Sequence, residues 1–272
     1  MKKMPTYFIS HGGGPWPWLK SEMPMYALLE KSLQDIPREL GVVPRVVLCV
    51  SAHWESADFA IQAHPHPPML YDYGGFPEHT YQIQYPAPGA PACAAKVHQL
   101  LQSAGLSSHL DIERGFDHGN FTPLYVMYPQ ANVPIFQVSL KAGLRPQEHI
   151  ELGRALSSLR DEGVLIIGSG LSYHNLRAMF SHDQAAGPAS HQFDAWLGET
   201  LRQENSAKRT EDLLHWQKAP AARAAHPREE HLLPLMVALG AAENEKAIRI
   251  YHEDRFMGGL AVSSFRFGNI DA

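Results

Sequence analysis

The sequence predicts an α/β fold, one domain over residues 1–272 with a central, largely parallel or mixed sheet flanked by helices. Three observations lead there. Arg45–Ser51 and Val164–Gly168 are unbroken apolar runs, the pattern of inner strands covered on both faces. Strand-like and helix-like segments alternate along the chain, as they do where helices connect strands of one sheet. No shift in composition and no internal repeat divides the sequence, and 272 residues can enclose a sizeable core.

Taken in order, Tyr7–Ser10 is a short apolar strand that runs out into His11-Gly-Gly-Gly-Pro15. The glycines allow a sharp turn and a close approach to a ligand. Trp16-Pro-Trp18 is a rigid aromatic segment, and residues 25–40 carry apolar positions at helical spacing. The Arg45–Ser51 strand ends in Ser51-Ala-His53-Trp54. Ala57–Ala63 reads as a further strand. Residues 64–91 form a long loop rich in Pro, Gly and Tyr, and loops of that length in compact chains usually serve function. A helix follows over 90–105, then the glycine-bracketed Gly115-Phe-Asp-His118-Gly119 and a helix to Tyr128. Val133–Leu140 reads as a strand with proline near its start, where proline is tolerated. Pro146–Glu162 is a helix closed by Gly163. The Val164–Gly168 strand leads into Ser169-Gly-Leu-Ser-Tyr-His174. Residues 184–225 are polar and helix-leaning, with Trp196 and Trp216 as packing anchors. His226-Pro-Arg-Glu-Glu230-His231 opens a helix over Leu232–Leu239, and Ile248–Tyr251 and Leu260–Phe267 finish as strands.

Composition narrows the function. A formal charge of −5 provides no basic surface for nucleic acid. No run approaches the ~18 apolar residues of a membrane helix, and no apolar signal region precedes the first strand, so the cytoplasm is the expected compartment. Cys49 and Cys93 make no C-x-x-C pair and read as reduced thiols. Sixteen histidines against two cysteines mean that a transition metal, if held, is held by imidazole and carboxylate.

Five histidine positions recur in one setting. His11, His53, His118, His174 and the His226/His231 pair stand at strand ends, in glycine loops or at a helix start. Carboxyl ends of parallel strands share one sheet edge, where open α/β sheets place their chemistry. His11, His53 and His174 can therefore converge, and the fold is expected to carry a metal site at that edge. His64, His66 and His79 belong to the long loop; His98, His109, His149, His182, His191, His215 and His252 fit helix faces or surface turns. His-Gly-Gly-Gly is also an oxyanion-loop pattern, but no G-x-S-x-G nucleophile elbow accompanies it. The glycines match neither a dinucleotide fingerprint nor a phosphate loop.

The motifs Ser10–Pro15, Ser51–Trp54, Gly74–Pro77, Tyr85–Gly89, Gly115–Gly119, Gly168–Gly170 with His174-Asn-Leu176, and Glu230–Leu235 occur in this order. The set resembles the class III extradiol ring-cleaving dioxygenases, on the branch of the DOPA 4,5-dioxygenases. The resemblance implies a mononuclear Fe(II) enzyme that opens a substituted catechol, DOPA-like or a related phenolic, with O₂ to a semialdehyde. It implies His11 and His53 as metal ligands and His231 as the third, with Glu230 as the alternative. His174 corresponds to the acid/base histidine and to a fourth ligand when Zn(II) is bound, and His118 to a second active-site histidine. Tyr71, Tyr73, Trp16, Arg228 and Arg223 are candidates to read the catechol's substituent. A zinc-dependent hydrolase on the same ligands is the alternative enzyme, and a non-catalytic metal-binding protein the third reading.

Overall fold

The structure is a computed structural model and describes residues 3–181 and 183–270. In chain order the elements are β1 (Thr6–Ser10), α1 (Ala27–Leu40), β2 (Val46–Ser51), β3 (Glu55–Ser56), β4 (Phe59–Gln62), α2 (Pro91–Ser103), β5 (Ser108–Asp111), α3 (His118–Met127), β6 (Ile135–Gln137), β7 (Leu140–Lys141), α4 (Pro146–Leu156), β8 (Val164–Gly170), α5 (Leu176–Phe180), α6 (Ala186–Arg202), α7 (Ser206–Leu214), α8 (Ala222–Ala225), α9 (Leu233–Gly240), β9 (Ala247–Phe256) and β10 (Leu260–Phe267).

Among the described residues the main sheet has the order β6-β2-β8-β1-β10-β9. β6, β2, β8 and β1 run parallel, and β10 returns antiparallel beside β1 before pairing with β9 as a hairpin. The sheet is thus mixed, with parallel strands where the sequence is uniformly apolar. Every residue of β2 and β8 is buried, which requires cover on both faces. α9 lies on β8 and β1 and packs against α4; α1 and α3 pack together, and α3 covers β2 and β8. α1 buries Leu29, Leu33, Ile36 and Leu40, one stripe of an otherwise polar helix. α9 is apolar all round and wholly buried, and each of its large side chains contributes about 1.5–3 kcal/mol by leaving water.

Two expectations change. Val133–Leu140 is divided, because β6 stops at Gln137 and the chain then turns: Val138 donates to Cys49 O and Ser139 to Ala60 O. β4 covers only Phe59–Gln62 of the anticipated 57–63 run and pairs with β5, a polar segment with no strand signature. The polar 184–225 region folds as α6, α7 and α8, and Trp216 is fully buried among them. Cys49 and Cys93 are unpaired. No described helix is long and apolar enough to cross a membrane.

Candidate metal centre

The parallel strands deliver their histidines to one edge. His11 follows β1, its amide still donating to Gly170 O of β8 at 3.2 Å and its carbonyl accepting from Trp16 Nε1. Gly12 and Gly14 have φ of +77° and +54°, so the turn after His11 needs glycine. His53 stands just beyond β2, where Arg114 donates to its carbonyl. His118 is the first residue of α3, capped by Asp117, whose carboxylate accepts from the Asn120 amide. His174 follows β8, and His231 lies in the turn that enters α9. That turn sits close on β8. Leu171 N donates to His231 O at 3.1 Å, and a Cβ on Gly170 would stand 2.1 Å from the same oxygen. Only glycine lets the strand approach the segment carrying His231.

The rings then converge. His53 Nε2 lies 3.1 Å from His11 Nε2 and 3.3 Å from His231 Nε2. His118 packs 4.0 Å from His53 between ring centroids, and His174 stacks on His231 at 3.3 Å. His11–His53–His118 and His174–Glu230–His231 both have the spacing of metal-binding groups, and they meet at the His53–His231 contact.

Hydrogen-bond partners assign the protons. The Ser169 hydroxyl donates to Gly119 O, so it accepts from His11 Nδ1 at 3.1 Å. A carboxylate can only accept, so a ring nitrogen facing one carries the proton. Glu230 Oε1 faces Nδ1 of His231 at 3.0 Å and of His174 at 3.2 Å. Asp72 faces Nδ1 of His118 at 2.9 Å and of His53 at 3.4 Å. Hydrogen bonds thus place hydrogen on Nδ1 of His11, His118, His174 and His231, and the Asp72 carboxylate at 3.4 Å favours the same tautomer at His53, so the Nε2 atoms are left bare. Three bare nitrogens at 3.1–3.3 Å contacts have no proton to share; they are a site for a cation.

Electrostatics keep them bare. Burial, with the neighbouring imidazoles, holds His11 and His53 well below the usual histidine range. At His231 burial outweighs the Glu230 hydrogen bond and brings the pKa to about 4. Burial would raise Glu230, but hydrogen bonds from His174 and His231 overcome it and hold the carboxyl well below the carboxylate range. Asp72 is lowered in the same way, burial being offset by His118.

Beside the histidines opens a cavity of about 470 Å³, walled by residues of the glycine turn, Tyr73, α5, and the β9–β10 turn. Residues 6–267 match the family described as the catalytic LigB subunit of aromatic ring-opening dioxygenase. The chain belongs to this family. It is 38% identical to the 4,5-DOPA dioxygenase extradiol of Beta vulgaris over 96% of both chains, and 34% identical to that of Escherichia coli K12, covering 98% of this chain and 95% of the relative. Dioxygenase tasH of Hapsidospora irregularis is 36% identical, with 98% and 86% covered. The crystal structure of an uncharacterized protein from Escherichia coli K12 superposes with a TM-score of 0.77 at 30% identity, covering 97% of this chain and 100% of that one. This LigB-family chain is an extradiol, aromatic ring-opening dioxygenase.

Several candidates lie apart from the LigB-family centre. His226 is fully buried, with Nε2 against Ser172 O and its ring beside Phe193 and Trp216, so it packs the α6–α8 side and does not face the site. His149 is buried rather than at the surface, where Lys141 N donates to it. His182 lies outside the described residues. Arg228 forms a two-pronged pair with Glu55, and Arg223 pairs with Glu229. Tyr71 donates to Ile83 O, and Trp16 is bonded to His11 O. Of the substituent readers only Tyr73 lines the cavity. Asp72 and Ser169 are the residues sequence reasoning missed. Ser169 sits inside a quoted motif, and Asp72 in the long Tyr/Gly-rich loop, but neither declares a histidine partner 46 or 158 positions away.

Proposed function

We propose that the chain is an Fe(II)-dependent extradiol dioxygenase that opens a substituted catechol, with its whole length serving as one catalytic domain. The convergence of three bare imidazole nitrogens, each backed by an Nδ1 proton, carries this reading. His11, His53 and His231 are the ligands in it, and neutral nitrogen donors suit Fe(II), or Zn(II) in its place. Glu230 faces the Nδ1 side of its two rings and acts there as an acceptor, not as a ligand. Fe(II) held there would supply a place where catechol and O₂ come together and a path for electrons from the ring to O₂.

The protein's own part is proton handling. His174 presents a bare Nε2 that accepts a proton from one catechol hydroxyl, and Glu230 behind it stabilises the imidazolium so formed. His174 then returns the proton as the ring opens. Asp72 gives His118 the same tautomer, so His118 donates toward bound oxygen only after accepting a proton, and the second hydroxyl is the adjacent source. The apolar side chains of the wall, Met23, Met25, Met179 and Met257 among them, limit the water beside the ring. The product is a semialdehyde that retains both atoms of O₂. The names of the relatives make DOPA the reference against which other catechols are compared, and the unpaired cysteines suit the reducing cytoplasm.

Protein loaded anaerobically with Fe(II), then given O₂ and a catechol, should yield a yellow product with one O₂ consumed per ring. Hydrolysis of esters or amides with zinc alone, and no ring cleavage, would overturn the reading in favour of a hydrolase. The His174→Ala variant should keep its iron and lose turnover; normal cleavage by that variant would remove His174 from the acid/base role.

A further inference from the structure

The cavity beside the histidines has a largely apolar wall. Away from the metal-binding edge it is built from Met23, Met25, Leu176, Met179, Phe180 and Met257. Among the described residues no lysine, arginine or glutamate lines it. Its one carboxylate, Asp72, already serves His118 and His53. Tyr73 and Tyr251 give their hydroxyl protons to Thr80 O and Glu253, while the Tyr26 oxygen accepts from the Gly13 amide and keeps its own proton to donate. The wall thus offers a substrate's side chain mostly carbon, the Tyr26 hydroxyl and no ion.

Two of its apolar lining residues also face solvent. Leu176 and Phe180 stand one turn apart on α5, 48% and 67% exposed. Large apolar side chains left facing water at a cavity mouth mark a surface that a ligand covers. A charged substituent gains no ion partner from the lining residues and loses water among them. An apolar one gains with every carbon it lays against the methionines and Phe180.

We propose that the substrate is a catechol bearing an uncharged, apolar substituent of several carbons, and that amino-acid catechols such as DOPA are poor substrates. The proposal rests on the dioxygenase reading of the centre. The experiment has a turnover arm and a binding arm. In the first, Fe(II)-loaded enzyme is given para-alkyl catechols from methyl to pentyl, and DOPA, dopamine and dihydroxyphenylacetate. The specificity constant kcat/KM should climb about threefold to fourfold per methylene until the cavity fills, and the pentyl compound should lead DOPA by about thirtyfold or more. A flat alkyl series, or DOPA equal to the alkyl compounds, overturns the proposal while leaving the enzyme a dioxygenase. In the second arm, calorimetry on Zn(II)-loaded protein under argon should give the same order in Kd. If that order holds but no catechol is cleaved, the dioxygenase reading fails and the apolar selectivity stands; if neither holds, both fail. Leu176→Arg, at a half-exposed position, should shift the kcat/KM ratio toward dihydroxyphenylacetate by about fivefold, the worth of an exposed ion pair. Phe180→Ala should flatten the alkyl series. Unchanged ratios in both variants, with unchanged thermal unfolding, overturn the role of the rim.

Discussion

Asp72 and Glu230 do the same job on opposite sides of the centre. Each carboxylate faces the Nδ1 of one histidine in the convergent trio and of one beside it: His53 with His118, His231 with His174. Ring orientation and tautomer are therefore set in pairs, and a change at one carboxylate reaches both members. Glu230→Gln keeps the shape, removes the charge and makes the assignment ambiguous, since an amide both donates and accepts. Metal affinity should fall about 10-fold to 100-fold, as happens when such outer partners are lost, and competition with a chelator reads this directly. An unchanged affinity would mean that the imidazoles need no outer support. At this scale His11, His53 and His118 were legible in the sequence because they end apolar runs or sit beside glycines, while His231 stood at a helix start and drew its role, with Glu230 as the alternative, from the family resemblance. The partners of these rings were not legible. A hydrogen bond between Ser169 and His11 depends on β1 and β8 lying side by side, and no local pattern records that.

β8 and the turn into α9 behave as one element. Gly168 and Gly170 face the α9 segment so closely that a Cβ on either would stand 2.1 Å from a carbonyl oxygen, of Pro234 and His231 respectively. Gly170→Ala must push the His231 turn away from the strand. Destabilisation of about 1–3 kcal/mol is expected, the usual cost of overpacking, with a lower metal content per chain. Thermal unfolding and metal analysis check the two effects together; retention of full metal would show that the turn tolerates the shift. Elements whose side chains all face the core were readable, as with β2, β8 and α9. Those stabilised by distant pairing were not. β5 is the polar Ser108-His-Leu-Asp111 and is a strand only because β4 lies beside it, and the 133–140 run divides because Cys49 and Ala60 draw its backbone two ways.

Across the whole molecule, buried neutral histidines tie stability to pH. Burial lowers His149 and His231 to about 4 and His226 to about 3, and takes His11 and His53 well down too. The unfolded chain protonates these rings near pH ~6.5, so it binds more protons than the fold below that pH. Their contribution is fully present above about 6.5 and is lost as pH falls toward their folded values, since stability rises with pH wherever the unfolded state holds more protons. Denaturant midpoints of the metal-free protein should therefore drop between about pH 6.5 and pH 4. A flat profile would mean that the rings are hydrated and titrate normally. The sequence disclosed the α/β class and the shared strand edge at this scale, through the alternation of apolar strands and amphipathic helices. It did not disclose that β10 would reverse beside β1, because β10 is buried along nearly all its length and so lacks the polar alternation that marks an antiparallel strand with one face in water.

The chain distances within the centre set an order of events during synthesis. His11 and His53 lie 42 residues apart, but His231 comes 178 residues after His53. β8 lies between β1 and β2, so a growing chain has no two-histidine half-site until Val164–Gly170 has been made, and it completes the trio only when the turn into α9 is seated on β8. The ion is therefore captured tightly only by a nearly finished chain, and the energy of capture stabilises the completed fold alone. Incomplete or truncated chains compete poorly for scarce metal, and the loaded centre doubles as a seal on a finished product.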